Sequence, residues 1–315
     1  MAPEKIAIVG SGLIGRSWAV LYSRGGYNVV LYDVQEQLMV EALDVINTQL
    51  HSLHDSELLL GLNPEECYSR ISTCASLGEA VDSAVLVHEC VPEVVELKRK
   101  VFLELDELVT DSTILCSSTS CIVPSKFTEG LVHAANCIVG HPVNPPHYCP
   151  AVEIIPAPWT AAQTKATTIA IMRRIGMKPV VAKKECDGFI LNRLQYAVLQ
   201  EGWRLVEDGV CDAEDIDNVM TGGLGIRWSF IGPFQTAHLN APGGIRDYAN
   251  RYSDGIVRVS KQFGEPRPFS GATLESVAGY LEGEMPVEKL GEAREWRDGV
   301  LKELAIFKQS IPEKP

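Results

Sequence analysis

Gly10-Ser11-Gly12-Leu13-Ile14-Gly15 is the stretch whose residue types and spacing most directly imply chemistry. It follows an apolar run, Ile6-Ala7-Ile8-Val9, and opens a segment of helical character. Each glycine has a physical reason: Gly10 for a tight turn, Gly12 so that backbone can approach a pyrophosphate, and Gly15 so that helix and strand can pack closely. A pyrophosphate placed there would sit on the free N–H groups of the helix start. The second expected strand ends in Leu31-Tyr32-Asp33, and Asp33 stands near the spacing of an acid that binds the adenosine ribose. Its carboxylate can take ribose hydroxyls and repels a 2′-phosphate, while Val34 and Gln35 offer that phosphate no cation. The expectation is a cofactor seat of Gly10, Gly12, Leu13, Ile14, Gly15 and Asp33 that takes NAD in preference to NADP.

Four further segments place polar groups beside apolar runs: Ser117-Ser118-Thr119-Ser120, His141-Pro142-Val143-Asn144-Pro145, Val152-Glu153-Ile154-Ile155, and Gly188-Phe189-Ile190-Leu191-Asn192-Arg193. In this order and at these spacings, behind the glycine loop, they resemble the 3-hydroxyacyl-CoA dehydrogenase family. The resemblance extends through Trp203-Arg204-Leu205-Val206-Glu207 to Glu295-Trp296-Arg297-Asp298, nearly the whole chain. It implies a Rossmann-type NAD domain followed by a helical domain, paired as a homodimer. It also implies that His141 is the general base, taking the hydroxyl proton while hydride leaves the same carbon. An imidazole suits that task because its ordinary pKa lies near operating pH. Glu153 would fix the ring's tautomer, Ser120 and Asn192 would hydrogen-bond the reacting oxygen, and Glu93 and Lys98 would lie near the cofactor. Blander readings stay open for some of these. Ser117 or Ser118 could do the work of Ser120, Pro92-Glu93 reads equally as a helix start, and Lys98 as a solvated charge.

Two departures from the acyl-CoA relatives bear on the substrate. Where those carry two phenylalanines after the histidine, this chain has Pro142-Val143, then Pro145, Pro146 and Pro150. CoA phosphates call for Lys or Arg, yet none occurs between Arg24 and Arg70. Instead Arg227, in Gly223-Leu224-Gly225-Ile226-Arg227-Trp228, could clamp a free carboxylate bidentately, although a surface or dimer ion pair is the plainer use of an arginine. The expected reaction is NAD-dependent oxidation of the 3-hydroxyl of a small hydroxy acid, and the resemblance puts L-gulonate first. L-carnitine, 3-hydroxybutyrate or a short-chain 3-hydroxyacyl-CoA stand behind it. A structural protein that keeps only the fold is the rival of another class, and the set Ser120, His141, Glu153 and Asn192 argues against it.

These groups need elements to hold them. Short apolar runs at Lys5 to Val9, Asn28 to Tyr32, Ala84 to Cys90, Thr113 to Cys116, Cys137 to Gly140 and Val152 to Ile155 alternate with helical stretches such as Val94 to Val109. That alternation predicts an α/β fold, a doubly wound and mostly parallel sheet. After Val180-Val181 the pattern turns helical, with one long helix from Gly188 to Glu207 and Gly209 as its stop. The expected division is 1–187 for a NAD-binding Rossmann-type domain and 188–315 for an all-helical substrate and dimerisation domain.

Bulk composition narrows the partners. A net charge of −13 with no basic cluster argues against nucleic acid and anionic membrane. The nine cysteines form no C-x-x-C pair, which disfavours a zinc site or a disulfide scaffold. The first strand begins almost at the first residue, which leaves no room for a leader peptide, and no apolar run is long enough to span a bilayer. A cytoplasmic enzyme without a metal is the expectation.

Overall fold

The computed structural model describes residues 3–312. Its first half builds one eight-stranded sheet from β1 (Lys5–Val9), β2 (Asn28–Tyr32), β3 (Ile71–Thr73), β4 (Ala84–Glu89), β5 (Ile114–Ser117), β6 (Cys137–Pro142), β7 (Ala151–Pro156) and β8 (Lys178–Val181). The spatial order is β3-β2-β1-β4-β5-β6-β7-β8. Neighbours run parallel except β6 and β7, which pair antiparallel. The expected mostly parallel, doubly wound sheet is therefore present. β3 is an addition that the sequence reading left out, because three residues with one buried side chain carry no readable period.

Continuous apolar strands make sense only if both faces of the sheet are covered. Side chains alternate faces along each strand, and two apolar clusters follow that alternation. Ile6, Ile8, Val29 and Leu31 join Trp18, Leu21 and Tyr22 of helix α1 (Leu13–Arg24) and Ile46 and Leu50 of helix α2 (Glu36–Asp55). Ala7, Val9, Val87 and Leu115 instead join Phe102 and Leu105 of the helix Val95–Leu108, together with Phe127.

Beyond β8 no strand occurs among the described residues. The long helix expected from Gly188 begins at Leu191 and runs to Glu207. Gly188 and Phe189 ahead of it are both left-handed, with φ of 72° and 51°, so the first helical turn cannot include them. Gly209, at φ 66°, ends that helix as expected.

The chain divides into two compact units, one running through Arg193 and resuming at Asp298, the other Leu194–Arg297. The resumption reflects the last helix, Leu290–Gln309, whose Ala305 and Ile306 pack on the first apolar cluster. A boundary read from where strands stop could not include that return.

Candidate active site

Strand order reverses between β1 and β4, and in such sheets the crevice at the carboxyl ends of the diverging strands takes the ligand. The loops that follow these two strands meet there. A β-carbon on Gly10, whose φ is 105°, would stand 2.8 Å from the Cys90 carbonyl oxygen. One on Gly15 would stand 1.9 Å from the Gly10 oxygen, so α1 can approach β1 only with glycine at that position. Gly12 differs: a β-carbon there would meet nothing within 4 Å. Its side of the loop is open, and no side chain caps α1. Uncapped N–H groups facing open space are what a pyrophosphate requires.

A cavity of about 520 Å³ extends from this loop, lined by Gly10, Gly12, Asp33, Leu38, Val91 and Val101 among others. Ser11 donates its backbone N–H (2.8 Å) and its hydroxyl (2.9 Å) to Asp33 Oδ2, and Gln35 N donates to Oδ1 at 3.1 Å. A carboxylate has roughly four acceptor positions, so Asp33 both ties the loop and keeps Oδ1 open to a ribose hydroxyl. No lysine or arginine lines the cavity among the described residues. The chain's residues fit NAD. The apolar lining from Leu77, Leu97 and Val101 escaped sequence reading because it comes from separate helices.

At the other candidate centre, β6 and β7 place His141 and Glu153 as direct antiparallel partners. His141 Nδ1 lies 2.8 Å from Glu153 Oε2, and both residues are buried. Glu153 Oε1 accepts the backbone N–H of Ile190 (2.8 Å) and of Leu191 (2.9 Å). Burial pushes the Glu153 carboxyl up, but the hydrogen bonds from His141, Leu191 and Ile190 outweigh it and hold the group below its ordinary value. An ionised Glu153 accepting Nδ1–H leaves Nε2 as the free base of the ring. The buried Phe189 ring lies edge-on to the imidazole, 5.8 Å between centroids.

Asn192 is brought to the same place by the first turn of the helix Leu191–Glu207. It donates from Nδ2 to the Ser120 carbonyl oxygen at 2.8 Å. The four hydroxyls from 117 to 120 separate clearly. Ser117 donates to the buried Glu89 (2.5 Å), Ser118 accepts from Trp18 (2.9 Å), and Thr119 donates to Glu93 (2.6 Å). Ser120 alone of the four is exposed, which favours it over its neighbours as a substrate contact.

Glu93 holds this loop, since its Oε1 also accepts the N–H groups of Ser120 (2.8 Å) and Cys121 (3.1 Å). Burial raises its carboxyl, and the Thr119 hydrogen bond and the Lys98 charge more than reverse that. Lys98 is not the solvated charge that one reading allowed: it is buried against Glu89 at 2.8 Å, with the Val91 carbonyl at 3.3 Å and Glu93 at 3.5 Å. Glu89 was missed because it looks like the last residue of an apolar strand. Arg227 lies in the second unit, exposed, in the short helix Gly225–Trp228, and it pairs with no carboxylate among the described residues.

A switch-point glycine loop, an acid just past the second strand and a buried histidine–carboxylate pair are the parts of a nicotinamide-dependent dehydrogenase on a Rossmann-type sheet. The chain belongs to the 3-hydroxyacyl-CoA dehydrogenase family: residues 5–186 match its NAD binding domain and residues 188–280 its C-terminal domain. It is 50% identical to the lambda-crystallin of Oryctolagus cuniculus over 313 residues, 98% of each chain. An L-carnitine dehydrogenase of Oceanobacillus iheyensis is 35% identical over 273 residues, covering 87% of this chain and 84% of that one. Among solved structures, a 5-formyl-3-hydroxy-2-methylpyridine 4-carboxylic acid 5-dehydrogenase, an NAD+-dependent dismutase, aligns with a TM-score of 0.80 at 28% identity over 98% of each chain. The protein is thus a NAD-dependent hydroxy-acid dehydrogenase of this family.

Proposed function

We propose that the protein oxidises the 3-hydroxyl of a small free hydroxy acid, and that L-gulonate, giving 3-dehydro-L-gulonate, is its substrate. The observation that carries the reading is the buried His141–Glu153 pair beside Ser120 and Asn192, in a chain without lysine or arginine from 25 to 69 to meet CoA phosphates. Bound NAD supplies the hydride acceptor. His141 Nε2 takes the hydroxyl proton, and the imidazolium that results is stabilised by Glu153 through Nδ1–H. Ser120 Oγ and Asn192 orient the reacting oxygen, the Asn192 amide exchanging its weaker contact with Cys121 Sγ for the substrate, and Arg227 clamps the substrate carboxylate.

Two relatives are named for free acids rather than thioesters, carnitine in one case and a pyridine carboxylic acid in the other, which supports the class. L-carnitine would further need a site for its quaternary ammonium, such as an aromatic face. Nine cysteines, none of them in a disulfide among the described residues and all at least half-buried, suit a reducing compartment, and we place the protein in the cytosol. We also read it as a homodimer built through the helical part, since that part leaves much apolar surface open.

The deciding measurement compares L-gulonate, L-carnitine, 3-hydroxybutyrate and 3-hydroxybutyryl-CoA as substrates of the unmodified protein and of Arg227→Leu. L-gulonate is expected to be best. Arg227→Leu should raise its KM, relative to that for NAD, by the loss of a bidentate charge pair, on the order of 2–4 kcal/mol. A superior thioester, or unchanged free-acid kinetics in Arg227→Leu, would overturn the clamp and the free-acid reading.

A further inference from the structure

The helix Val95–Leu108 turns a narrow stripe toward the cofactor cavity: Leu97, Val101 and Glu104. Spacings of four and three keep these side chains on one helix face. Leu97 and Val101 are half-buried, as apolar lining should be. Glu104 is exposed at the cavity's edge, and among the described residues its carboxylate has no cation and no hydrogen-bond donor as partner. An unpaired acceptor in the rim of a largely apolar cavity leaves room for a donor on the ligand.

Position along the helix identifies which part of the ligand that is. The helix starts just after Val91 and Pro92, which adjoin the glycine loop through Gly10 and Cys90. Seven residues at 1.5 Å rise place Glu104 about 10 Å farther along the axis than Leu97. Glu104 therefore stands at the end of the cavity remote from the glycine loop. With the pyrophosphate at that loop and the ribose at Asp33, the base is what remains for the far end. An adenine joined through N9 has one strong donor, its exocyclic 6-amino group, and its ring nitrogens are acceptors. A carboxylate can pair with the amine and with nothing else on that edge.

We propose that Glu104 reads the adenine base of NAD by accepting a hydrogen bond from the 6-amino group. The proposal rests on the cofactor seat described above and adds a base-specificity residue to it. The pair lies at a solvent-exposed rim, so its effect on affinity is modest.

Calorimetric titration of the whole protein with NADH, NADPH and reduced nicotinamide hypoxanthine dinucleotide tests it. Hypoxanthine carries an oxygen where adenine carries the amine. The unmodified protein should bind NADH about fivefold more tightly than the hypoxanthine form. Glu104→Leu should abolish that gap by weakening NADH alone, and should leave the NADH-to-NADPH ratio set by Asp33 unchanged. Glu104→Gln, whose amide can accept or donate, should bind the two bases about equally. A gap that persists in Glu104→Leu overturns the proposal. So does a relaxed NADH-to-NADPH ratio, which would put the carboxylate at the ribose instead. Failure of the unmodified protein to bind any of the three would overturn the cofactor seat itself, a separate result.

Discussion

The two units solve the problem of burying apolar surface in opposite ways. In the first, Ile6, Ile8, Trp18, Leu21, Leu50 and Phe102 are wholly or almost wholly out of solvent, and the polar groups sealed in with them are mostly paired, Lys98 with Glu89 and His141 with Glu153. In the second, Gly202, Trp203, Arg204, Thr236 and Ala241 are the buried residues among those described, while Phe234 (83% exposed), Leu239 (70%) and Trp296 (69%) stand open. A sheet covered on both faces satisfies itself. A set of amphipathic helices without a sheet has its apolar stripes left over. The His141–Glu153 pair and the glycine loop lie in the unit whose core its own strands and helices seal, which suits groups that must be held in one geometry.

The contrast is sharpest at the base. His141→Gln is expected to lower turnover by a factor on the order of 10² or more, with NADH affinity by fluorescence titration unchanged. Glu153→Gln should cost less, because the ring keeps its acceptor and loses its orienting charge. Near-normal turnover in His141→Gln would remove the first unit's claim to the chemistry.

The second unit is tested by charge. Leu199→Asp, on its long helix, should convert a homodimer to monomers by light scattering and lower Tm by about 5 °C. Val132→Asp, still more open to solvent but in the first unit, should do neither. Equal behaviour of the two variants, or a monomer from the start, would erase the distinction between the units.

Smaller effects test the first unit's interior. On the proposal that Asp33 meets the ribose, and with no lysine or arginine in the cavity lining among the described residues, NAD should be used at least about tenfold more efficiently than NADP, about 1.4 kcal/mol. Equal efficiencies would mean that Asp33 only ties the loop. Below that lies a pH effect. His88 is fully buried with Tyr22 Oη 2.8 Å from Nδ1, and burial, opposed by a Gly140 hydrogen bond, lowers it from 6.5 to about 3. Between those values the unfolded chain binds a proton that the folded one refuses, so stability falls as pH falls from 6.5 toward 3. The slope is up to about 1.4 kcal/mol per pH unit. His88→Phe should flatten the denaturation midpoint over that window, and an unaltered slope would show that other groups set it.

What could be read beforehand divides along the same line. The glycine loop was legible because its spacing is local: Gly15 is a glycine because of Gly10, five residues before it, although the carbonyl that confines Gly10 belongs to the distant Cys90. The alternation that predicts the sheet was legible for the same reason. The pairing of His141 with Glu153 was expected only through the family resemblance, because it depends on antiparallel register across β6 and β7, and register is written in neither strand alone. Lys98 sits among charged neighbours, Arg99 and Lys100, and only the helix phase tells it apart from them. The choice among Ser117, Ser118 and Ser120 needed Trp18 and Glu89, distant in sequence, to claim the first two.

The return of the last helix to the first unit has a consequence for how the molecule can come apart. Because Ala305 and Ile306 are packed on the sheet's core, the second unit is an insertion held at both ends rather than a free tail. If it melts while the sheet stands, it becomes a closed loop of about a hundred residues. By loop-closure entropy, such a tethered strand has on the order of 4 kcal/mol less disorder to gain than a dangling one. The helical unit, poor in burial of its own, is thereby kept folded in part by the knot at its neck.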